Sequence, residues 1–355
     1  MPKYRFTEIA INSTEKKKPT EADKETYIGL EHLDSGTLTV SRWGSEVAPI
    51  GEKLLMKKGD VLFGKRRAYQ KKVGIAPFDG IFSAHGMVLR PREEVITKEY
   101  FPLFISSDYF LNEAIRISVG SLSPTVNWKD LKDLTFNIPT IEEQRRITPL
   151  VWAAIKAKNA YKTLIQRTDD LVKSQFIEMF GTIDCEGVLP RMQWKNVLSI
   201  INGKDYKAVF QEDGEYPVYG SGGVMARASE YLCPENTVLM GRKGTIDNPL
   251  LIREKFWNVD TAFGVVPDPD KLDCVYLHWY CKQLDFTKLN KATTLPSTTK
   301  ADLLNLWINV PEMSQQLKFA KFVEQSDKSK FVVSNRNLSR CLQTRQKGNY
   351  RILLQ

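Results

Sequence analysis

Residues 124–144 and 296–316 are two copies of one segment, and this duplication limits the fold more than any other feature of the chain. At an offset of 172, seven of the 21 aligned positions are identical: Pro124/Pro296, Asp130/Asp302, Leu131/Leu303, Leu134/Leu306, Asn137/Asn309, Pro139/Pro311 and Gln144/Gln316. Ordinary composition gives about one such identity by chance. Upstream the match continues with small shifts. Val61 to Arg66 (VLFGKR) resembles Val238 to Lys243 (VLMGRK), and Ser83 to Val88 (SAHGMV) resembles Thr261 to Val266 (TAFGVV). The copies open alike, with Pro2, Phe6 and Ile9 set against Pro190, Trp194 and Val197. The 355 residues are two units of one plan.

Each copy begins with short β-rich runs broken by turns: Tyr27 to Leu30, Val61 to Phe63 and Phe82 to Leu89, then Tyr216 to Gly223, Thr237 to Met240 and Phe256 to Val266. An aromatic helical segment follows, Tyr100 to Phe110 or Val275 to Phe286, and then an Asn-Ile-Pro or Asn-Val-Pro stop at 137–139 and 309–311. Past each proline the pattern changes. From Glu142 to Met179 there is no glycine, and Leu150, Ala154, Ala157, Tyr161, Leu164, Thr168 and Leu171 recur at spacings of four and three, a coiled-coil seam. Such a helix would run roughly 57 Å at 1.5 Å per residue. Pro149 predicts a kink or break near its start, and Gly181 its end. The second copy runs from about Ser314 to Tyr350 with a looser stripe of Phe319, Phe322, Val323, Phe331, Leu338 and Cys341. The fold expected is α+β: β-rich globular domains at 1–140 and 182–312, joined and separated by two long antiparallel helices at 141–181 and 313–355.

Charge and chemistry narrow the function. Lys and Arg exceed Asp and Glu by 51 − 42 = 9, which favours a polyanionic partner. No window approaches the 18 apolar residues of a membrane span and the start lacks an apolar leader, so the expected setting is the cytoplasm, with no membrane. Five cysteines without a C-x-x-C pair argue against disulfides and zinc ribbons. Cys274, His278 and Cys281 share a helical face that suits either three metal ligands or the packing of a buried helix, and packing is the reading preferred. Phosphate loops, H-E-x-x-H and G-x-S-x-G are absent. The expectation is a chain with no catalytic residues, no bound cofactor and no metal. The competing class is a nucleic-acid-processing enzyme with an unfamiliar active site on the Cys274/His278/Cys281 face.

Three stretches are candidate polymer contacts. Lys57 to Lys72 (KKGDVLFGKRRAYQKK) carries seven cations against Asp60, and Lys65, Arg66, Arg67, Tyr69, Lys71 and Lys72 are its predicted contacts. Its counterpart in copy two is Gly241 to Thr245, with Arg242, Lys243 and Thr245. The hydroxyl-rich loop holding Ser121, Ser123 and Thr125 is matched by Thr294, Ser297, Thr298 and Lys300. A glycine-rich stretch, Tyr216 to Gly223, adds Tyr219, Ser221 and Gly222.

With YIGLE (Tyr27 to Glu31), YPVYGSGG (Tyr216 to Gly223), GRKGT (Gly241 to Thr245), DLKDLTFNIPTIEEQRRI (Asp130 to Ile147) and SQFIEMFG (Ser174 to Gly181) in this order, the whole chain resembles the DNA specificity subunit of type I restriction-modification systems. The resemblance implies two target recognition domains, each reading half of a bipartite site in double-stranded DNA, and helical regions that set the spacer. It also implies partners: two methyltransferase subunits that carry S-adenosylmethionine and modify adenine, and restriction subunits. Copy two departs at Glu312 to Gln316 (EMSQQ), where copy one has Thr140 to Gln144 (TIEEQ).

Overall fold

The computed structural model describes residues 1–183, 189–242, 246, 248–285 and 297–328. The chain divides into two units, and the boundary falls between Lys158 and Asn159, inside a helix.

In the first unit the strands form two four-stranded sheets. One runs Ala10–Ser13, Met87–Pro91, Val61–Phe63 and Val73–Ile75, all antiparallel. Val61, Leu62 and Phe63 are at most 1% exposed, because this central strand is covered on both faces and reads as an unbroken apolar run. The other sheet runs Lys16–Lys17, Lys53–Met56, Gly80–Phe82 and Tyr27–Ile28, the last strand parallel to its neighbour. Two short helices, Phe101–Ile105 and Asp108–Arg116, pack Phe104 and Phe110 onto Phe6, Phe63 and Phe136. The single aromatic helix expected over Tyr100 to Phe110 is split at Ser106-Ser107, where the Ser107 hydroxyl caps the second helix by accepting from the Phe110 N–H.

The second unit repeats the plan. Leu198–Asn202, Ala262–Pro267, Thr237–Gly241 and Leu250–Ile252 form its four-stranded sheet, and Gly223–Ala228, Tyr216–Gly220 and Trp257–Asn258 a three-stranded one. Each unit is closed by the same ribbon: Lys3–Arg5 pairs with Thr135–Asn137, and Arg191–Gln193 with Trp307–Asn309, with Lys3 opposite Asn137 and Arg191 opposite Asn309.

The registers correct two sequence expectations. The runs Phe82 to Leu89 and Phe256 to Val266 are not single strands, since each crosses from one sheet to the other through a turn. Leu89 lies opposite Val61 and Val265 opposite Val238, so these strands correspond at an offset of 176, two residues from the offset of 178 that the letters matched.

The long helix is continuous over Ile141–Phe180, and the break expected at Pro149 does not occur. Proline withdraws the N–H that would bond the Arg145 carbonyl and crowds that carbonyl with its ring, and the turns on either side continue the helix past it. Gly181 ends it in the left-handed region (φ 74°), with its N–H on the Ile177 carbonyl. Within the first unit the helix lays Ile147, Val151, Trp152 and Ile155 on the core. Within the second it buries Val172, Phe176 and Phe180 beside Phe319 of the helical stretch 313–328. The seam is corrected at this end: Leu164 and Leu171 are 43% and 56% exposed, and the buried stripe runs one residue later. Phe331, Leu338 and Cys341 of the second helical stretch expected to Tyr350 lie outside the described residues, as does Phe286.

Candidate nucleic-acid interface

In the first unit, the strand Val61–Phe63 runs into a tight tip. The Gly64 N–H donates to the Lys72 carbonyl (2.9 Å) and closes it, while Ala68 is buried and anchors it. Arg67 and Lys71 flank the turn at Ala68–Gln70 in left-handed conformation (φ 55° and 50°). Such backbone is uncommon for non-glycine residues and is held here by hydrogen bonds, the Arg67 N–H donating to the Pro124 carbonyl and the Lys71 N–H to the Ala68 carbonyl (2.9 Å). The hydroxyl-rich loop is bonded to this tip. The Arg67 N–H donates to the Pro124 carbonyl (2.7 Å), the Val126 N–H to the Lys65 carbonyl (2.9 Å), and Arg66 bridges Thr125. Val119 and Thr125 exchange two backbone bonds (3.0 and 2.9 Å), and Arg67 Nε lies 3.4 Å from Ser123 Oγ. Two stretches read separately in the sequence therefore form one surface, on which Arg66, Arg67, Tyr69 and Ser121 are exposed.

The charge of the tip is unevenly presented. Lys71 Nζ pairs with Asp108 (2.5 Å) and Lys72 Nζ donates to the Leu30 carbonyl (2.7 Å), so both ammonium groups are already engaged. Asp60, the lone acid of the run, is held by Arg90 (2.8 and 2.9 Å) and does not neutralise its neighbours. Burial, helped by Lys16, pushes the half-buried Lys65 ammonium below its usual range. His85 is lowered by burial and then by Arg66, Lys65 and Lys53, all cations. Lys16 and Lys53 were missed in the sequence; Lys16-Lys17-Lys18 was the available signal.

In the second unit a single residue combines what Lys65 and Arg66 divide. The Arg242 N–H donates to the Thr261 carbonyl (2.8 Å), as that of Arg66 does to His85 (3.2 Å). The Arg242 carbonyl accepts from the Thr298 N–H (3.1 Å), as that of Lys65 does from Val126. Copy two is thus one residue shorter at this turn. The Arg242 guanidinium lies 5.7 Å from the Phe263 ring centre and 3.5 Å from the Asp260 carbonyl. Lys243, Thr245 and Thr294 lie outside the described residues.

The remaining candidates are less open than expected. Thr298 is 3% exposed with its hydroxyl unpaired, Ser297 is half-buried, and Lys300 Nζ donates inward to the Ile200 carbonyl (2.7 Å). Tyr219 packs edge-on against Phe256 (5.4 Å), and burial raises its phenol. Ser221 and Gly222 form the turn that follows it, on the three-stranded sheet and not on the sheet that carries Arg242.

The Cys274–Cys281 helix is a packing element. Cys281 is fully buried and burial drives its thiol far up, Cys274 Sγ accepts from Arg253 (3.1 Å), and His278 Nε2 donates to the Pro249 carbonyl (3.1 Å). No group of three or more His, Cys, Asp or Glu among the described residues is placed to hold a metal ion. Burial, then Lys282 and Arg253, hold His278 near 4, against an ordinary 6.5. The unfolded chain therefore takes up this proton first, so stability present above about 6.5 is lost as pH falls toward 4. The thermal midpoint is expected to fall less between pH 7 and 4.5 in His278→Gln than in the wild type; equal falls would remove His278 as the cause.

The family model for the type I restriction modification DNA specificity domain matches residues 6–160 and again 192–339. Among curated proteins, the chain is similar to the type I restriction enzyme EcoDI specificity subunit of Escherichia coli, 24% identical over 229 residues, which are 62% of this chain and 50% of that protein. The chain thus spans about half the length of this relative. Among solved structures it is similar to the S subunit of a type I restriction-modification system from M. genitalium, with a TM-score of 0.61 and 14% identity over 96% of this chain and 93% of the other. The latter likeness is one of fold. No helix among the described residues is long and apolar enough to cross a membrane.

Proposed function

Because the chain belongs to the type I restriction modification DNA specificity domain family, with two matches that cover most of its length, we propose that it is a sequence-reading subunit whose two units each contact one half of a bipartite site in double-stranded DNA. The observation that carries the reading is the shared link between basic turn and loop, Val126 to Lys65 in one unit and Thr298 to Arg242 in the other. Duplication has preserved the frame that presents a cation at the end of a central strand. An arginine so placed can donate two hydrogen bonds to a guanine edge, while lysines and backbone N–H groups hold phosphates.

In this reading the chain performs no chemistry. Two methyltransferase subunits carry S-adenosylmethionine and methylate adenine, restriction subunits cleave, and this chain brings them to the site. The α+β frame, the basic excess and the lack of a catalytic signature support the division of labour. The test is long-read mapping of adenine methylation in the host with the gene intact and deleted. Loss of one bipartite motif on deletion is the expected result. A methylome unchanged by deletion, together with no sequence preference in a randomised duplex pool, would overturn the reading.

A further inference from the structure

Between the two sheets of the first unit lies a cavity of about 230 Å³, at the point where the chain leaves the first sheet at Ser13 and enters the second at Lys16. Three lysines line it, Lys16, Lys53 and Lys65, against one acid, Glu52, which lies 3.5 Å from Lys16 Nζ. Asn12 and Asn127 also line it. Lys53 Nζ donates to the Ile50 and Gly51 carbonyls, which take none of its charge, so the wall keeps a surplus of positive charge.

The geometry points to a phosphate site, and, resting on the proposed DNA reading, to a backbone phosphodiester of the bound duplex as its occupant. Lys65 supplies the connection: its carbonyl is the anchor of the loop at Val126, and the residue lines the cavity beside the exposed Arg66. A phosphate entering here accepts from lysine ammonium groups and relieves the mutual repulsion of the cations. The second unit is built differently at the equivalent place. Lys300 stands where the first unit has Trp128, and its ammonium reaches the Ile200 carbonyl, Ile200 being opposite Val265 as Asn12 is opposite Leu89. The phosphate pocket belongs to the first unit.

The experiment uses the full chain and a duplex of arbitrary sequence, since a phosphate contact needs no particular base. Lys65→Ala removes one of the lining cations and leaves the Val126 bond to its carbonyl in place, so the melting temperature should hold while duplex affinity falls about threefold to tenfold. Lys16→Ala should reduce the slope of log K against log salt by about 0.9, the value of one phosphate contact. Unchanged affinity and slope in both variants, with wild-type binding intact, would overturn the site and leave the DNA reading standing. Absence of duplex binding by the wild type would instead sink the DNA reading. Thermal stabilisation by inorganic phosphate that Lys16→Ala abolishes, with duplex affinity unmoved, would assign the cavity to a free phosphate and overturn the duplex assignment.

Discussion

Replacing Gln144 or Gln316 with alanine is expected to destabilise the unit that contains it by about 3 kcal/mol or more, which is a large fraction of the stability of a domain of this size. Both glutamines are fully buried, and each makes the same three bonds. Gln144 Oε1 accepts from the Thr97 N–H (2.8 Å), and its Nε2 donates to the carbonyls of Val95 (2.9 Å) and Pro139 (2.8 Å). Gln316 Oε1 accepts from the Asp273 N–H (2.8 Å), and its Nε2 donates to the carbonyls of Lys271 (2.9 Å) and Pro311 (2.8 Å). Alanine deletes the amide and strands three main-chain groups that folding has taken out of water, each worth about 1 to 3 kcal/mol. The Asn-x-Pro stop and the start of the long helix are tied to the helical segment through this one side chain. Urea unfolding checks the expectation. An unchanged midpoint would show that water enters and satisfies the three groups, and Gln→Glu, which keeps the acceptor but loses both donors, should fall near alanine.

The same two glutamines show what the sequence made legible. The identities at offset 172 survive because each residue serves the backbone: proline stops a strand, leucine fills a core, glutamine closes a loop onto a helix. Strand alignment within the sheets was read two residues out, and the reason is physical. A slip by two leaves every side chain on the same face, so apolar letters cannot distinguish offset 178 from 176, and only the ladder of hydrogen bonds does. The runs Phe82 to Leu89 and Phe256 to Val266 looked continuous because both of the sheets they join bury apolar residues.

Charge was legible as a sum and not as a direction. Seven cations between Lys57 and Lys72 mark the tip, yet Lys71 is taken by Asp108, 37 residues away, and Lys72 by the Leu30 carbonyl. Neither partner is visible to composition. The seam of the long helix failed in a related way. Heptad spacing picked Leu164, Thr168 and Leu171, whereas the core of the second unit selects Val172, Phe176 and Phe180, because rings from Tyr276 and Phe319 fill the space facing those positions.

Arg66→Ala is expected to weaken binding to the cognate duplex about tenfold to a hundredfold at fixed salt, with little change in melting temperature. The side chain is exposed, so its loss leaves the core untouched, while its backbone stays fixed by the His85 carbonyl (3.2 Å) and the bridge to Thr125. If the guanidinium donates twice to a base edge, about 1 to 3 kcal/mol of discrimination goes with it. Arg66→Lys separates charge from geometry. Lysine keeps the cation but not the planar fork, so a base contact is lost in both variants and a phosphate contact only in alanine. Arg242→Ala should act in parallel, because its N–H holds the Thr261 carbonyl as that of Arg66 holds His85. The two substitutions then relax opposite halves of the methylated motif, one each. Unchanged affinity in both alanine variants would remove this turn from the interface, and relaxation of the same half by both would show that the duplicated turns do not read separate half-sites.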